Sequence, residues 1–233
     1  MAEVFSTSFE ATGIESGWAE LESIGCTLDW DSTVASRPPG GGAQTLRSVS
    51  AFPGYRAFGY KDLGSGNGKS KSFLRFYTSI SSEGLASGQA KTIATGKDDS
   101  ASDNVWTLEI AQSGVTNIYF RFGIFNAGAM VYYTKLISLS TLYKVEVKYD
   151  DDNNLWEWRV DGVSEDSGSL TGTHKTEVRL WTFGANNVSQ AYALTAYFDL
   201  IAVDDAAYPS ISGRPLPQRV LSGPFSGPFK GVF

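Results

Sequence analysis

The sequence predicts an all-β protein: a two-sheet antiparallel jelly-roll sandwich followed by an extended C-terminal arm. Short stretches of alternating apolar and polar residues recur along the chain, turns rich in Gly, Asp and Asn separate them, and no segment shows three turns of helical periodicity. An aromatic content of 13% and 25 glycines suit many short strands joined by tight turns.

In chain order, strands are expected at 72–80, 105–110, 117–125 and 130–135. The clearest follows at 143–149, where Tyr143, Val145, Val147 and Tyr149 share one face and Lys144, Glu146 and Lys148 the other, giving a core face and a wet face. Asp150 to Asn154 is a polar turn, and Trp156, Trp158 and Val160 then alternate with Glu157 and Arg159 up to Asp161-Gly162. This reads as a β-hairpin. Further strands are expected at 177–183 and 191–203, with long polar loops at 62–70 and 96–104. Past Ala206 the alternation stops, so the jelly roll is assigned to residues 1–208 and the arm to 209–233.

The arm carries one tetrapeptide pattern three times, Ser222-Gly223-Pro224-Phe225, Ser226-Gly227-Pro228-Phe229 and Lys230-Gly231-Val232-Phe233. Its Gly and Pro residues exclude a helix interior or a central strand, leaving an extended chain. Burying three Phe rings would contribute roughly 5 to 9 kcal/mol, against about 12 kcal/mol for ordering the backbone. Pro224, Phe225, Pro228, Phe229 and Phe233 are therefore expected to dock on something else, a neighbouring subunit of the same or another structural protein.

The chain has 233 residues and a net charge of −6, which disfavours nucleic acid as a partner. No run of 18 apolar residues marks a membrane span, and the start Met1-Ala2-Glu3-Val4-Phe5 has no signal-peptide pattern, so synthesis in a host cytoplasm without a signal peptide is expected. The single cysteine, Cys26, excludes an intrachain disulfide and reads as a small buried hydrophobe.

Four segments resemble the concanavalin A-like, laminin G-like jelly-roll superfamily of lectins and glucanases. They are Ser8-Phe9-Glu10 with Gly17-Trp18, the hairpin Trp156 to Gly162, Thr176 to Leu180, and Ala196 to Asp205. The resemblance implies two stacked curved sheets, adjacent first and last strands, and ligands on the concave sheet. It also implies a structural calcium where those strands meet, with Glu10 and Asp199 the candidates by position; the same carboxylates would serve equally as hydrogen-bond acceptors at a sheet edge. No other cofactor is called for.

Catalytic patterns are absent from the sequence. The run Tyr119 to Ala127 looks like a strand of jelly-roll alginate lyases, but Phe125 stands where they place a catalytic Tyr and Ala127 where they place Gln. The alternating carboxylates of glucanases are missing, since Glu146, Lys148 and Asp150 put a lysine in the middle. His174 reads as a solvated loop residue, and the Gly64 to Ser70 loop lacks the first glycine and the helix of a phosphate loop. The Asp98-Asp99-Asp103 and Asp150-Asp151-Asp152 clusters read as solvated turns.

If Phe120, Phe122 and Ile124 face the core, Tyr119, Arg121 and Phe125 face the opposite way. If Val178 and Leu180 point inward, Glu177, Arg179 and Trp181 point out. These six residues are the candidate concave face, suited to a sugar or to a protein interface, unless loops of the chain cover it. The expectation is a non-enzymatic structural protein at a virion surface, of the kind a bacteriophage head decoration, fibre or tail component provides. The alternative is a lectin-like module that attaches a complex to glycans.

Overall fold

The computed structural model describes residues 3–7, 18–22, 26–31, 45–50, 57–114, 116–185 and 194–209. Two antiparallel sheets stack face to face. One contains β1 (Glu3–Thr7), β3 (Thr27–Asp31), β4 (Thr45–Ser50), β6 (Lys71–Glu83), β11 (Tyr143–Asp150), β12 (Leu155–Val160), β13 (Val163–Ser169) and β15 (Leu194–Asp204). Its order is β13-β12-β11-β6-β15-β4-β3, with β1 also on β15. The other contains β2 (Ala19–Glu22), β5 (Ala57–Asp62), β7 (Ala90–Lys97), β8 (Asn104–Ser113), β9 (Asn117–Asn126), β10 (Ala129–Ile137) and β14 (Leu180–Ala185). It runs β10-β9-β8-β7-β14-β5-β2. As the resemblance implies, the first described strand pairs with the last, Thr7 opposite Ile201 and Phe5 opposite Val203.

Period-2 alternation explains the core. Val145, Val147 and Tyr149 of β11 and Trp156, Trp158 and Val160 of β12 are buried against Ile118, Phe120, Phe122 and Ile124 of β9. Phe122 stacks on Trp158 with ring centroids 5.3 Å apart and planes 10° apart, which joins the sheets through an aromatic pair. Cys26 is partly buried and packs against this core. The expected hairpin is present: a short 3-10 turn, Asp151–Asn153, joins β11 to β12, Asp150 Oδ1 accepts the Asn153 N–H at 3.2 Å, and Asn154 turns the chain at φ 55°.

Two expectations about the hairpin's polar side need correcting. Glu146 is 2% exposed rather than wet, because Arg75 of β6 donates to its Oε1 from Nε at 2.8 Å and from Nη2 at 2.5 Å. Asp150 is likewise buried at 4% exposure, since its carboxylate caps the turn instead of facing water.

Beyond β15 the chain crosses the outer face of the first sheet. Tyr208 packs edge-on against Phe73 of β6 at 5.5 Å, lies under the Arg159 guanidinium at 4.7 Å, and donates its hydroxyl to Glu157 Oε2 at 3.1 Å. Residues 205–208 thus pass from β15 over β6 and β11 to β12. Burial first, then the Glu157 charge, pushes the Tyr208 phenol well above its ordinary range and keeps it a neutral donor. Pro224, Phe225, Pro228, Phe229 and Phe233 lie outside the described residues, as does the expected arm from residue 210 on.

Candidate functional site

The site lies on the outer face of the seven-stranded sheet, on β8, β9 and β10. Because Ile118, Phe120, Phe122 and Ile124 point inward, Tyr119, Arg121, Gly123 and Phe125 point out. Register sets Glu109 and Thr134 on either side of Arg121, Ala111 and Leu136 beside Tyr119, and Thr107 and Tyr132 beside Gly123.

Arg121 and Glu109 form a cross-strand pair of opposite charge, with Nε and Nη2 each 2.6 Å from Oε2. Thr92 donates its hydroxyl to Oε1 at 3.4 Å, so the carboxylate is engaged on both oxygens. The Arg121 guanidinium also lies over the Tyr132 ring at 4.6 Å. Tyr132 reaches across the sheet because position 123 is glycine: a Cβ there would come within 2.7 Å of both Thr107 Oγ1 and Tyr132 Cε1. Burial, then the Glu109 charge, raises the Tyr132 phenol, so it stays protonated and able to donate. Beside the pair is a depression of about 370 Å³ lined by Gln89, Gln112, Ser113, Tyr119, Arg121 and Thr134. Farther along the face, Thr95 and Thr182 share a hydrogen bond of 2.8 Å.

The six residues expected to share a face fall into three places. Tyr119 and Arg121 line the depression, while Phe125, on the same face, sits toward the other end of β9 with Lys175 Nζ 5.4 Å from its ring centre. Arg179 belongs to the loop end of the sandwich, where Nε and Nη2 meet Asp62 Oδ1 and Oδ2 at 2.7 and 3.0 Å. Glu177 lies there too, so close to Gly68 that a Cβ on that glycine would fall 2.3 Å from Glu177 Cδ. Trp181 is a correction: it is 0% exposed and packs edge-on against Phe5 at 5.3 Å. The inward and outward phase changes because Val178 bridges Lys69 outside β14, while Arg179 accepts from Leu63 and donates to Lys97 through its backbone. Val178 and Trp181 therefore both face inward, three positions apart.

The loop end is tied down rather than free. Asp99 accepts the Gly66 N–H at Oδ1 at 2.8 Å and the Ser65 hydroxyl at Oδ2 at 3.3 Å, and its carbonyl accepts from Arg179 Nη1. Lys175 bridges Asp98 and Asp103 at 2.9 and 2.6 Å, so these two are ion-paired and not merely solvated. The Arg179 hydrogen bond holds Asp62 below the usual carboxylate range. Burial alone would raise Asp98, but the Ser100 hydroxyl and the Lys175 ammonium hold it down. His174 is also anchored, Nε2 lying 2.8 Å from Asp151 Oδ1 and Nδ1 3.0 Å from the Gly172 carbonyl.

For the calcium expectation, Glu10 lies outside the described residues. Asp199 sits at 1% exposure on β15, with Oδ1 accepting the Leu200 N–H at 2.7 Å. Among the described residues, no group of three or more His, Cys, Asp or Glu side chains is placed to hold a metal.

No protein-family model matches the chain, and no curated protein matches it in sequence. Solved structures do match in three dimensions. A sialidase superposes with a TM-score of 0.56 at 11% identity over 82% of this chain and 17% of its own. The receptor-binding domain of botulinum neurotoxin D gives 0.55 at 11% identity over 90% of this chain and 50% of its own. A family 7 alginate lyase gives 0.50 at 15% identity over 76% of this chain and 83% of its own. The chain thus spans about a sixth of the sialidase and half of the neurotoxin domain. At such identities these likenesses establish the fold alone, and that fold is the concanavalin A-like jelly-roll sandwich.

Proposed function

We propose that the protein is a non-catalytic carbohydrate-binding sandwich whose ligand lies on the outer face of β8, β9 and β10. The observation that carries this reading is the pairing of Glu109 with Arg121 between Tyr119 and Tyr132, beside a depression lined by the amides of Gln89 and Gln112. Tyrosine rings offer faces for pyranose C–H groups, while amides, hydroxyls and a guanidinium fork take sugar hydroxyls. The mutual neutralisation of Glu109 and Arg121 suits an uncharged ligand. Phe125, where jelly-roll alginate lyases place a catalytic Tyr, has no hydroxyl to move a proton.

Glycan-array binding by the wild type, lost in Tyr119→Ala and Tyr132→Ala at unchanged melting temperature, supports this reading. An empty wild-type array, or turnover of a polysaccharide, overturns it.

The repeat at 222–233 favours a second reading compatible with the first, in which the chain is a structural subunit of a particle. Residues 209–233 would fasten the sandwich to a neighbouring subunit at a virion surface, as in a bacteriophage decoration, fibre or tail component. A native mass that is multimeric for the full chain and monomeric for Phe225→Ser/Phe229→Ser/Phe233→Ser supports it; a monomeric full chain rejects it.

A further inference from the structure

We infer that the phenylalanine repeat at 222–233 docks as an added strand on the free edge of β10. The docking rests on the assembly reading above for its occupant. Among the described residues β10 pairs only with β9, so its other edge has no strand partner. That edge also bears exposed apolar side chains, Tyr132 at 44% and Leu136 at 58%. The two are four residues apart on the outer face, with only Thr134 between them on that face.

The repeat has the matching period. In an extended chain, residues an even number apart share a face, so Phe225, Phe229 and Phe233 all point the same way at four-residue spacing. Two successive rings therefore fall beside Tyr132 and Leu136, as cross-strand apolar neighbours. The prolines fit the same geometry. Each strand residue directs its N–H and C=O to one neighbour, alternately left and right, so Pro224 and Pro228 remove donors from one edge alone. The edge formed by Phe225, Gly227, Phe229, Gly231 and Phe233 keeps every donor. Such a strand can add to β10 and at the same time blunt the new edge against further growth.

The chain's path fits. Tyr208 leads it from β15 across to β12, which lies next to the β13 edge of its sheet, and Lys135 of β10 meets Glu165 of β13 at 2.7 Å. The 13 residues from 209 to 221 span up to about 43 Å when extended.

Hydrogen–deuterium exchange on the full chain tests this. In the wild type, the alternate β10 amides that point away from β9 should be protected in addition to those that β9 already holds, and in Phe225→Ser/Phe229→Ser/Phe233→Ser this outward set should exchange at least tenfold faster. Leu136→Asp, at an exposed position, should have the same effect. Strand pairing is read by two proline variants: Gly227→Pro, on the donor-bearing edge, should release β10, whereas Ser226→Pro, on the other edge, should not. Exchange in β10 that is indifferent to the phenylalanines, or equal responses to the two proline variants, overturns the inference. Protected β10 amides in a chain that light scattering shows to be monomeric would reject the assembly reading and leave the docking intact.

Discussion

Arg179 grips Asp62 with two parallel hydrogen bonds, Nε to Oδ1 at 2.7 Å and Nη2 to Oδ2 at 3.0 Å. The fork ties the end of β5 to the segment entering β14, and its remaining nitrogen reaches the Asp99 carbonyl. A planar bidentate contact of this kind cannot be reproduced by lysine.

Because the arginine lowers Asp62, this contact stabilises the fold above the carboxylate's unfolded value near 4, and the contribution is lost as pH falls through the lower folded value. Arg179→Lys should raise Asp62, lower stability at pH 7 to 8 and so move the acid-unfolding midpoint to higher pH, with the stability difference between the two proteins shrinking as pH falls through the folded value. Circular dichroism during acid titration of both proteins checks this.

Lys91 works in the opposite pH range. Burial lowers its ammonium to about 8, so between that value and the unfolded 10.5 the unfolded chain binds more protons. Stability should therefore rise with pH across this window, by at most on the order of 3 kcal/mol. Urea titrations at pH 7, 9 and 10 should show the rise in the wild type and lose it in Lys91→Met.

Trp181→Ala removes a ring with 0% exposure from between the sheets. The expected cost is about 3–5 kcal/mol, through lost burial and the cavity left behind, as measured by urea unfolding. Glycan affinity per folded molecule should not change, because the ring does not reach the outer face.

Glu146→Gln leaves the Arg75 guanidinium, 16% exposed, without its carboxylate partner. Breaking a buried pair from one side should cost about 3–5 kcal/mol, more than any pairing energy assigned to an exposed surface bridge. Restoring much of the loss with a double variant, Arg75→Met/Glu146→Leu, would show that the unpaired charge is the cause.

Two glycines should respond differently to the same added methyl. At Gly96 a Cβ would come 2.2 Å from Nε1 of Trp106, which is wholly buried, so Gly96→Ala should cost roughly 1–3 kcal/mol by overpacking. At Gly123 the obstructing groups include the half-exposed Tyr132 ring, which can swing away. Gly123→Ala should keep most of the stability and change ligand affinity, a split that thermal melts and binding titrations separate.

How far the sequence carried the fold depends on each strand's surroundings. The β11–β12 hairpin was legible because one side of each strand is apolar and the turn is built of Asp and Asn. β7 was not: Ala90, Ile93 and Ala94 share it with Thr92, Thr95 and Lys91, all buried, so no alternation marks a wet face. β13, Val163 to Ser169, is a polar edge strand held by pairing with β12, and pairing is invisible to local periodicity. In the site, Tyr119 and Arg121 were found by alternation within β9, whereas Glu109, Tyr132 and Thr134 become neighbours only through register with β8 and β10. Trp181 was misplaced for a related reason. Counting by twos from Val178 runs through Arg179, where the backbone turns from one partner strand to another.

The Tyr208 anchorage has a mechanical corollary. A load applied beyond residue 209 would first meet the ring seated between Phe73 and Arg159 and the bond to Glu157, on strands other than β15. Tension is thereby shared between two strands, β6 and β12, before the β15 ladder is stressed, and the last strand is shielded from being unzipped one hydrogen bond at a time.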